Sequence, residues 1–166
     1  MREISPREID KNAISLIAED WALLTAGNAD GWNTMTVSWG GIGELWGKDV
    51  AFAFVRPQRY TKEFIDNSEY FTLSFFDEGY KSALRICGAK SGRDIDKAKE
   101  TGITPVFENG TAHLAEAKLV LVCRKLYAQD MTPDCFVDKS IIDDNYKAND
   151  FHTSYVGEII KVLKKD

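Results

Sequence analysis

The chain has 166 residues, of which 44% are hydrophobic and 28% charged, and its formal net charge is −5. This length and balance predict one soluble globular domain spanning residues 1–166. The acidic charge argues against nucleic-acid binding through a broadly basic surface and leaves room only for a local basic patch.

Targeting and redox signals favour a cytoplasmic protein. The N-terminal residues lack the apolar segment and cleavage pattern of a signal peptide, and no stretch is long and apolar enough to span a bilayer. The three cysteines, Cys87, Cys123 and Cys135, are widely spaced and odd in number, which fits reduced thiols better than a disulfide framework. We therefore expect no membrane partner.

The first third of the chain predicts one helix and two strands. Residues 10–20 are typical of a short helix capped by Asp10. Trp32–Trp39 alternates with period two, as a strand does, and glycines 40, 41, 43 and 47 then mark a turn. Val50–Val55 is almost wholly apolar, which suits a strand covered on both faces.

The remaining segments add short helices and further strands. The predicted elements are a helix from an N-cap at Thr61 to Asn67, a strand Tyr70–Phe76, a helix Tyr80–Cys87 with Gly88 after it, a helix Asp94–Lys99 ended by Gly102, a hairpin turn at Asn109-Gly110, and strands Leu114–Tyr127 and Tyr155–Leu163. Many strands of uneven length with few short helices predict a mainly β fold, a closed antiparallel barrel with helical decoration.

Several common sites are excluded by spacing. GGIGELWG fails as a dinucleotide fingerprint because Trp46 stands where the third glycine belongs, and a strand follows it instead of a helix. The two histidines are far apart and no CxxC pair exists, so no metal site is predicted. The acidic stretch at residues 143–150 lacks the pattern of a calcium loop and is interpreted as a solvated loop.

The segment RPQRYT concentrates positive charge after a strand. Pro57 favours an extended conformation at Arg56, and Arg59 precedes the predicted helix cap at Thr61. Helix N-termini favour anions, and arginine binds phosphate in a bidentate way. A capped helix with two solvated arginines explains the segment equally well.

The segment NTMTVSW offers hydroxyl groups, backbone N–H groups and a tryptophan, which suit a planar ring rich in hydrogen-bonding atoms. Taken alone, it fits a half-buried edge strand better. A ring-binding strand and a phosphate-binding turn, separated by one apolar strand, together match the needs of an aromatic mononucleotide.

These segments, in this order, resemble the flavin reductase-like, flavoredoxin-type family. The resemblance is carried by residues 33–39, Trp46, residues 55–61, residues 70–76, SGRDIDKAKETGIT at residues 91–104, His152 and residues 155–159. It implies an FMN-binding split β-barrel that works as a homodimer, with FMN near the subunit interface.

The resemblance also implies roles for individual residues. The flavin ring and ribityl chain would contact Asn33, Thr34, Met35, Thr36, Ser38 and Trp39. The phosphate would be held by Arg56, Arg59, Tyr60 and Thr61, and the site closed by Ser91 and Lys97, although Lys97 could instead pair with Asp94. His152 would lie over the flavin and assist catalysis, or else be an ordinary loop histidine.

The implied activity is that of an FMN-dependent oxidoreductase, an NAD(P)H-dependent flavin reductase-like enzyme. The alternative is a flavoredoxin-type electron carrier that exchanges electrons with a partner protein. The Trp46 segment resembles the flavoredoxin branch more closely, and no nicotinamide motif is recognisable. Cys87 is expected to be a buried structural thiol.

Overall fold

The computed structural model describes residues 1–108 and 110–165. The strands are β1 (Arg2–Ile4), β2 (Ala22–Asn28), β3 (Gly31–Val37), β4 (Gly40–Leu45), β5 (Lys48–Val55), β6 (Tyr70–Phe75), β7 (Pro105–Glu108), β8 (Thr111–Leu114), β9 (Leu119–Asp130) and β10 (Thr153–Lys164). The helices are α1 (Ala13–Ser15), continued by a π-helical turn (Leu16–Asp20), α2 (Thr61–Asn67), α3 (Lys81–Ala89), α4 (Lys97–Thr101) and α5 (Ser140–Asn145), with short 3₁₀ turns at Pro6–Glu8, Glu78–Tyr80 and Pro133–Cys135.

One antiparallel sheet contains eight of the strands. Its order is β3-β2-β6-β9-β10-β5-β4, with β1 added beside β10, while β7 and β8 form a separate hairpin. The path begins at β3 and ends at β4, which follow each other in the chain, so the sheet curls into a split barrel. The predicted mainly β antiparallel fold is confirmed.

Apolar side chains cover both faces of the central strands. On β9, Leu121 and Cys123 belong to one buried cluster with the barrel strands, whereas Val120 and Val122 belong to a second cluster with α3 and β8. This two-sided burial explains why residues 119–123 form a continuous apolar run. None of the described helices is long and apolar enough to cross a bilayer.

Strand β2 was not predicted, and its burial pattern explains the omission. Six of its seven residues are buried, so it shows no period-two alternation. The predicted helix at residues 10–20 is shorter and more irregular than expected, because Asn12 caps α1 and Asp10 instead forms an ion pair with Lys164 at 2.7 Å.

The glycine-rich segment is largely a strand, so the predicted turn is confirmed at Gly47 and is wrong for Gly40, Gly41 and Gly43. β4 pairs with β5 in register from Gly40 to Leu45, and only Trp46 and Gly47 form the turn. Both turn residues have positive φ, 56° and 69°, as a two-residue type I′ hairpin requires. Trp46 therefore occupies a position that glycine or asparagine usually fills.

Helix boundaries also differ from those predicted. Tyr60, not Thr61, is the residue before α2, and Thr61 is the first helical residue. Gly88 lies inside α3, which ends at Ala89, and α4 begins after Asp96 and ends at the left-handed Gly102. Local spacing located these helices but did not fix their ends.

The second half contains two strands where one was predicted. The segment 114–127 is divided, since β8 ends at Leu114 and β9 begins at Leu119. The hairpin β7–β8 flanks the predicted Asn109-Gly110 turn, whose Asn109 lies outside the described residues. The last strand is three residues longer than predicted, extending from Thr153 to Lys164.

Candidate functional site

Two adjoining cavities lie where β3, the turn after β5 and the segment before β10 meet. The larger, about 400 Å³, contains the start of α2 and the segment after α3, and the smaller, about 230 Å³, contains the end of β3 and His152. Met35, Arg56 and Arg59 line both cavities. We call the larger the anion cavity and the smaller the ring cavity.

Arg59 provides a positive charge in the anion cavity. Its guanidinium donates a hydrogen bond to the carbonyl of Gly88 and forms no ion pair with any carboxylate in the described residues. Burial and the nearby charge of Arg56 lower its pKa, but an arginine remains protonated under such conditions. A cation without a partner carboxylate is suited to an anionic ligand.

Backbone donors complete the lining of the anion cavity. In the described part of the chain, the N–H groups of Tyr60, Thr61, Ser91 and Gly92 have no protein acceptor, and all four residues line the cavity. The Ser91 Oγ accepts from the Arg93 N–H at 3.1 Å, so its own proton stays available for donation. The Tyr60 ring lies under the Arg93 guanidinium at 4.4 Å.

Asn33 connects β3 to the start of α2. Its Nδ2 donates to Thr61 Oγ1 at 2.9 Å, and both side chains are buried. A Cβ atom on Gly92 would lie 2.1 Å from the Asn33 Oδ1, so position 92 has no room for a side chain. The hydrogen bond joins β3 to the start of α2, and the absence of a side chain at Gly92 lets the segment after α3 lie directly against Asn33.

Lys97 is a buried cation that ties α4 to its neighbours. Its Nζ donates to the carbonyls of Thr34 at 2.6 Å and Cys87 at 2.8 Å, rather than to Asp94. Burial lowers the Lys97 pKa from 10.5 to about 8. The sequence alternative of an ion pair with Asp94 is therefore wrong, and Lys97 lies in the wall of the anion cavity.

Arg56 faces the segment before β10. Its Nη1 lies 2.6 Å from Asp150 Oδ2, its Nη2 donates to the carbonyl of Asn145 at 2.9 Å, and its guanidinium lies 5.0 Å from the centre of the Tyr146 ring. Arg56, which was predicted to bind the phosphate, thus already forms several contacts with protein groups. Asp150 is not the freely solvated acid that the sequence suggested.

The ring cavity is lined by the end of β3 and the two residues after it, which include most of the residues predicted to contact the flavin ring. Met35, Thr36, Ser38 and Trp39 all line it, and Thr36 Oγ1 donates to the carbonyl of Leu84. Thr34 does not line either cavity, because its buried Oγ1 lies 2.9 Å from Thr25 Oγ1 and donates to the Leu24 carbonyl. Thr34 contributes to the site through its backbone carbonyl, which accepts a hydrogen bond from Lys97 in the cavity wall.

His152 forms one wall of the ring cavity. Its ring centre lies 5.3 Å from that of Trp39, and its Nδ1 lies 2.8 Å from the Tyr146 hydroxyl. Burial, together with the charge of Arg56, lowers the His152 pKa to about 4. The imidazole is therefore neutral near pH 7, and its Nε2 is left as the nitrogen that can contact a ligand.

Some lining residues were not predicted individually. Gln58 and Gly92 occur within the segments RPQRYT and SGRD but carried no separate signal. Phe54 lies in the apolar strand β5, where nothing distinguished it from its neighbours. Asp150 could be found only from its contacts, since it lies 94 residues after Arg56 in the chain.

Comparison with known proteins supports the resemblance. A family model described as flavin reductase like domain matches residues 14–166, while no curated protein sequence matched. Among solved structures, flavoredoxin from Methanosarcina acetivorans is 21% identical with a TM-score of 0.70, covering 89% of this chain and 69% of its own.

Two further structures share the fold. The FMN-binding protein from Thermus thermophilus with bound 1-cyclohex-2-enone is 18% identical with a TM-score of 0.66, over 99% of this chain and 78% of that one. The NADH:FAD oxidoreductase SgcE6 of Streptomyces globisporus C-1027, in complex with NAD and FAD fragments, is 17% identical with a TM-score of 0.65. The match covers 88% of this chain and 74% of that one. With the match of the family model over most of its length, the chain belongs to the flavin reductase-like family.

Proposed function

We propose that the protein binds FMN and acts as an oxidoreductase that takes hydride from NADH or NADPH. The observation that carries this proposal is the joining of an anion cavity to a ring cavity. Four cations and one carboxylate line the anion cavity: Arg56, Arg59, Lys90, Lys97 and Asp150. In a chain of net charge −5, this local excess of positive charge fits a phosphate group.

The donor set fits the parts of FMN. Arg59, the free N–H groups of Tyr60 and Thr61, and the Ser91 hydroxyl would hold the phosphate, since charge-assisted hydrogen bonds to phosphate are the strongest available. Thr36, Ser38 and Trp39 would contact the ring system.

When bound, the flavin supplies hydride and electron transfer, and the protein supplies orientation and electrostatics. His152 would assist as a neutral hydrogen-bonding group, because burial keeps its pKa well below 7. Arg56 and Arg59, which line the ring cavity as well, would favour negative charge on a ring bound there.

FMN is proposed over FAD because one cation-lined cavity adjoins the ring cavity, which suits a single terminal phosphate. The Thermus relative is an FMN-binding protein, whereas the Streptomyces relative was crystallised with FAD fragments. Extraction of the flavin from the purified protein and its separation by chromatography would decide between them. Recovery of FAD alone would refute this part of the proposal.

A flavoredoxin-type electron carrier is the second candidate. The exposed ring of Trp39 at the edge of the ring cavity favours it, because a partner protein could approach there, and a flavoredoxin is among the similar structures. Anaerobic mixing with NADH and with NADPH separates the candidates. Rapid bleaching of the flavin supports the reductase, whereas reduction only by dithionite or a protein donor supports the carrier.

We further propose that the protein forms a homodimer with the flavin near the interface. Trp39 and Trp46 are half exposed, and the Trp46 ring contacts that of Tyr127, also partly exposed, at 6.3 Å between centres. Exposed aromatic groups are enriched at interfaces. Replacing Trp46 by serine should shift the mass measured by light scattering towards the monomer, and an unchanged mass would contradict this interface.

We also propose a cytoplasmic location. The three cysteines are free, and two of them, Cys87 and Cys123, are buried with raised pKa values. Such thiols are unreactive and fit a reducing compartment. Localisation of a fluorescent fusion in the source cell would test this.

A further inference from the structure

We propose that Arg56 is a positioning residue: it fastens the segment Asn145–Asp150 beside the ring cavity and thereby fixes the orientation of His152. Arg59 is then the arginine left for the phosphate. The inference rests on the proposed function, because the orientation of His152 matters only if the ring cavity holds the flavin.

The first reason is the number of protein groups that Arg56 contacts. One guanidinium engages the Asp150 carboxylate, the Asn145 carbonyl and the Tyr146 ring. Gln58 reinforces the same contact, since its Nε2 donates to Asp150 Oδ2 at 2.8 Å. Two side chains from the turn after β5 therefore converge on a single carboxylate.

The second reason is the strand register. Thr153 of β10 pairs with Val55 of β5, so His152 and Arg56 are the residues immediately beyond the same end of this strand pair. The contact of Arg56 with the segment before β10 is therefore made next to His152 in the sheet.

The third reason is that Tyr146 is the one buried residue of the segment Asn145–Asp150. Helix α5 has no buried residue, and Lys147–Asn149 are exposed, whereas Tyr146 is only 4% exposed. Tyr146 packs beneath Arg56 and stacks on Phe151 at 4.8 Å between ring centres. Tyr146 also contacts the Phe136 ring at 5.6 Å between centres, so the guanidinium adds to an aromatic cluster and ties that cluster to Asp150 and Asn145.

The link to His152 runs through Tyr146. The tyrosine hydroxyl lies 2.8 Å from His152 Nδ1, which selects the orientation of the imidazole and leaves Nε2 for a ligand. Trp39 also contacts this imidazole, with 5.3 Å between the ring centres. If Arg56 released the segment, Tyr146 would be held only by its contacts with Phe136, Phe151 and Met131. Its hydrogen bond to His152, the only side-chain hydrogen bond of His152 among the described residues, would then weaken.

The first experiment is limited trypsin digestion of the purified protein with Asp150→Asn, which breaks the ion pair but keeps the charge of Arg56. We expect cleavage after Lys139 and Lys147 to be about tenfold faster than in the wild type, because cleavage tracks the population of the open segment. The matched control is Asp49→Asn, which removes a distant ion pair of the same length with Arg7, 2.6 Å. Equal rates in Asp150→Asn and the control would overturn the proposal.

The second experiment measures the His152 pKa by NMR in the same variant. The groups facing His152 are Arg56, Arg59, Asp150 and Tyr146, and the charge of Asp150 raises the His152 pKa. Loss of that charge alone would lower the pKa further, whereas release of the segment would expose the imidazole and raise its pKa towards 6.5. A rise supports the positioning role, and a fall overturns it.

The third experiment compares FMN with riboflavin, which lacks the phosphate. Arg56→Ala should weaken both ligands by the same factor, and Arg56→Lys, which keeps the charge, should restore part of the loss. Arg59→Ala should weaken FMN at least tenfold more than riboflavin. If Arg56→Ala lowers the ratio of the two affinities as Arg59→Ala does, Arg56 is a phosphate ligand and the proposal is wrong.

The outcomes separate this inference from the proposed function. If the wild type binds neither ligand, the proposed function fails, but the digestion and NMR results still decide whether Arg56 holds the segment. If Arg56→Ala does not fold, as judged by circular dichroism, Asp150→Asn and Arg56→Lys provide the same comparison.

Discussion

Replacing Lys97 by methionine tests how a buried ammonium group contributes to stability. The side chain is 6% exposed, and its Nζ donates to the carbonyls of Thr34 and Cys87 without a carboxylate in contact. Burial lowers its pKa from 10.5 to about 8, against the attraction of Cys87 and with a small contribution from Arg59. The folded protein therefore holds this proton less tightly than the unfolded chain does.

The size of the effect follows from the pKa difference of about 2.5. At 1.36 kcal/mol per pKa unit, protonated Lys97 costs about 3 kcal/mol of stability at neutral pH. Methionine removes that cost, but it also leaves two buried carbonyls without a donor, at about 1–3 kcal/mol each. The two effects nearly cancel, so we expect the variant and the wild type to unfold at similar urea concentrations at pH 7.

The pH dependence gives the decisive signal. Between pH 8 and 10.5 the unfolded chain binds more protons at Lys97 than the folded protein does, so wild-type stability should rise with pH relative to Lys97→Met. Urea unfolding followed by tryptophan fluorescence at pH 7, 8, 9 and 10 measures this difference. A difference that stays constant across the window would refute the reasoning, and Lys99→Met controls for losing an exposed charge from the same helix.

Three other changes test the site. Arg59→Ala should raise the dissociation constant for FMN about tenfold to a hundredfold and leave that for riboflavin nearly unchanged, as measured by fluorescence quenching; equal losses would argue against a phosphate contact. Gly92→Ala places a methyl group 2.1 Å from Asn33 Oδ1 and should weaken flavin binding in the same titration, whereas unchanged affinity would show that the segment yields easily. Between pH 6.5 and 4, the wild type should lose stability relative to His152→Gln as pH falls, since the His152 pKa is lowered from 6.5 to about 4 and the unfolded chain binds the proton first; parallel urea curves would contradict this.

The sequence pattern predicted those elements whose residue types show a clear local signal. The alternation at residues 32–39 and the apolar run at 50–55 located strands β3 and β5, and Gly102 marked the end of α4 as expected. It missed β2, whose two faces are both covered, and it took β4 for a turn because pairing with β5 overrides the weak strand preference of glycine.

Local sequence pattern also predicted only part of the candidate site. Thr36, Ser38 and Trp39 were predicted to contact the flavin ring, and the structure places all three along one cavity. Thr34 is in the same strand, yet its side chain is turned towards Thr25 and away from both cavities. Alternation puts Thr34 and Thr36 on the same face of the strand, so it could not show that Thr25 of the neighbouring strand β2 covers Thr34.

The sequence by itself indicated a mainly β fold and marked the arginines of RPQRYT and the hydroxyl groups of NTMTVSW as candidates for one site, because both inferences depend on residue type and short spacing. The curling of the sheet brings the two segments together, since β3 and β5 are not neighbours in the strand order. The tertiary structure decided how the two arginines differ: Arg56 meets Asp150, 94 residues away, whereas Arg59 donates to the Gly88 carbonyl and forms no ion pair within the described residues. Such pairings arise from strand register and from burial, which bring together groups that no local pattern connects.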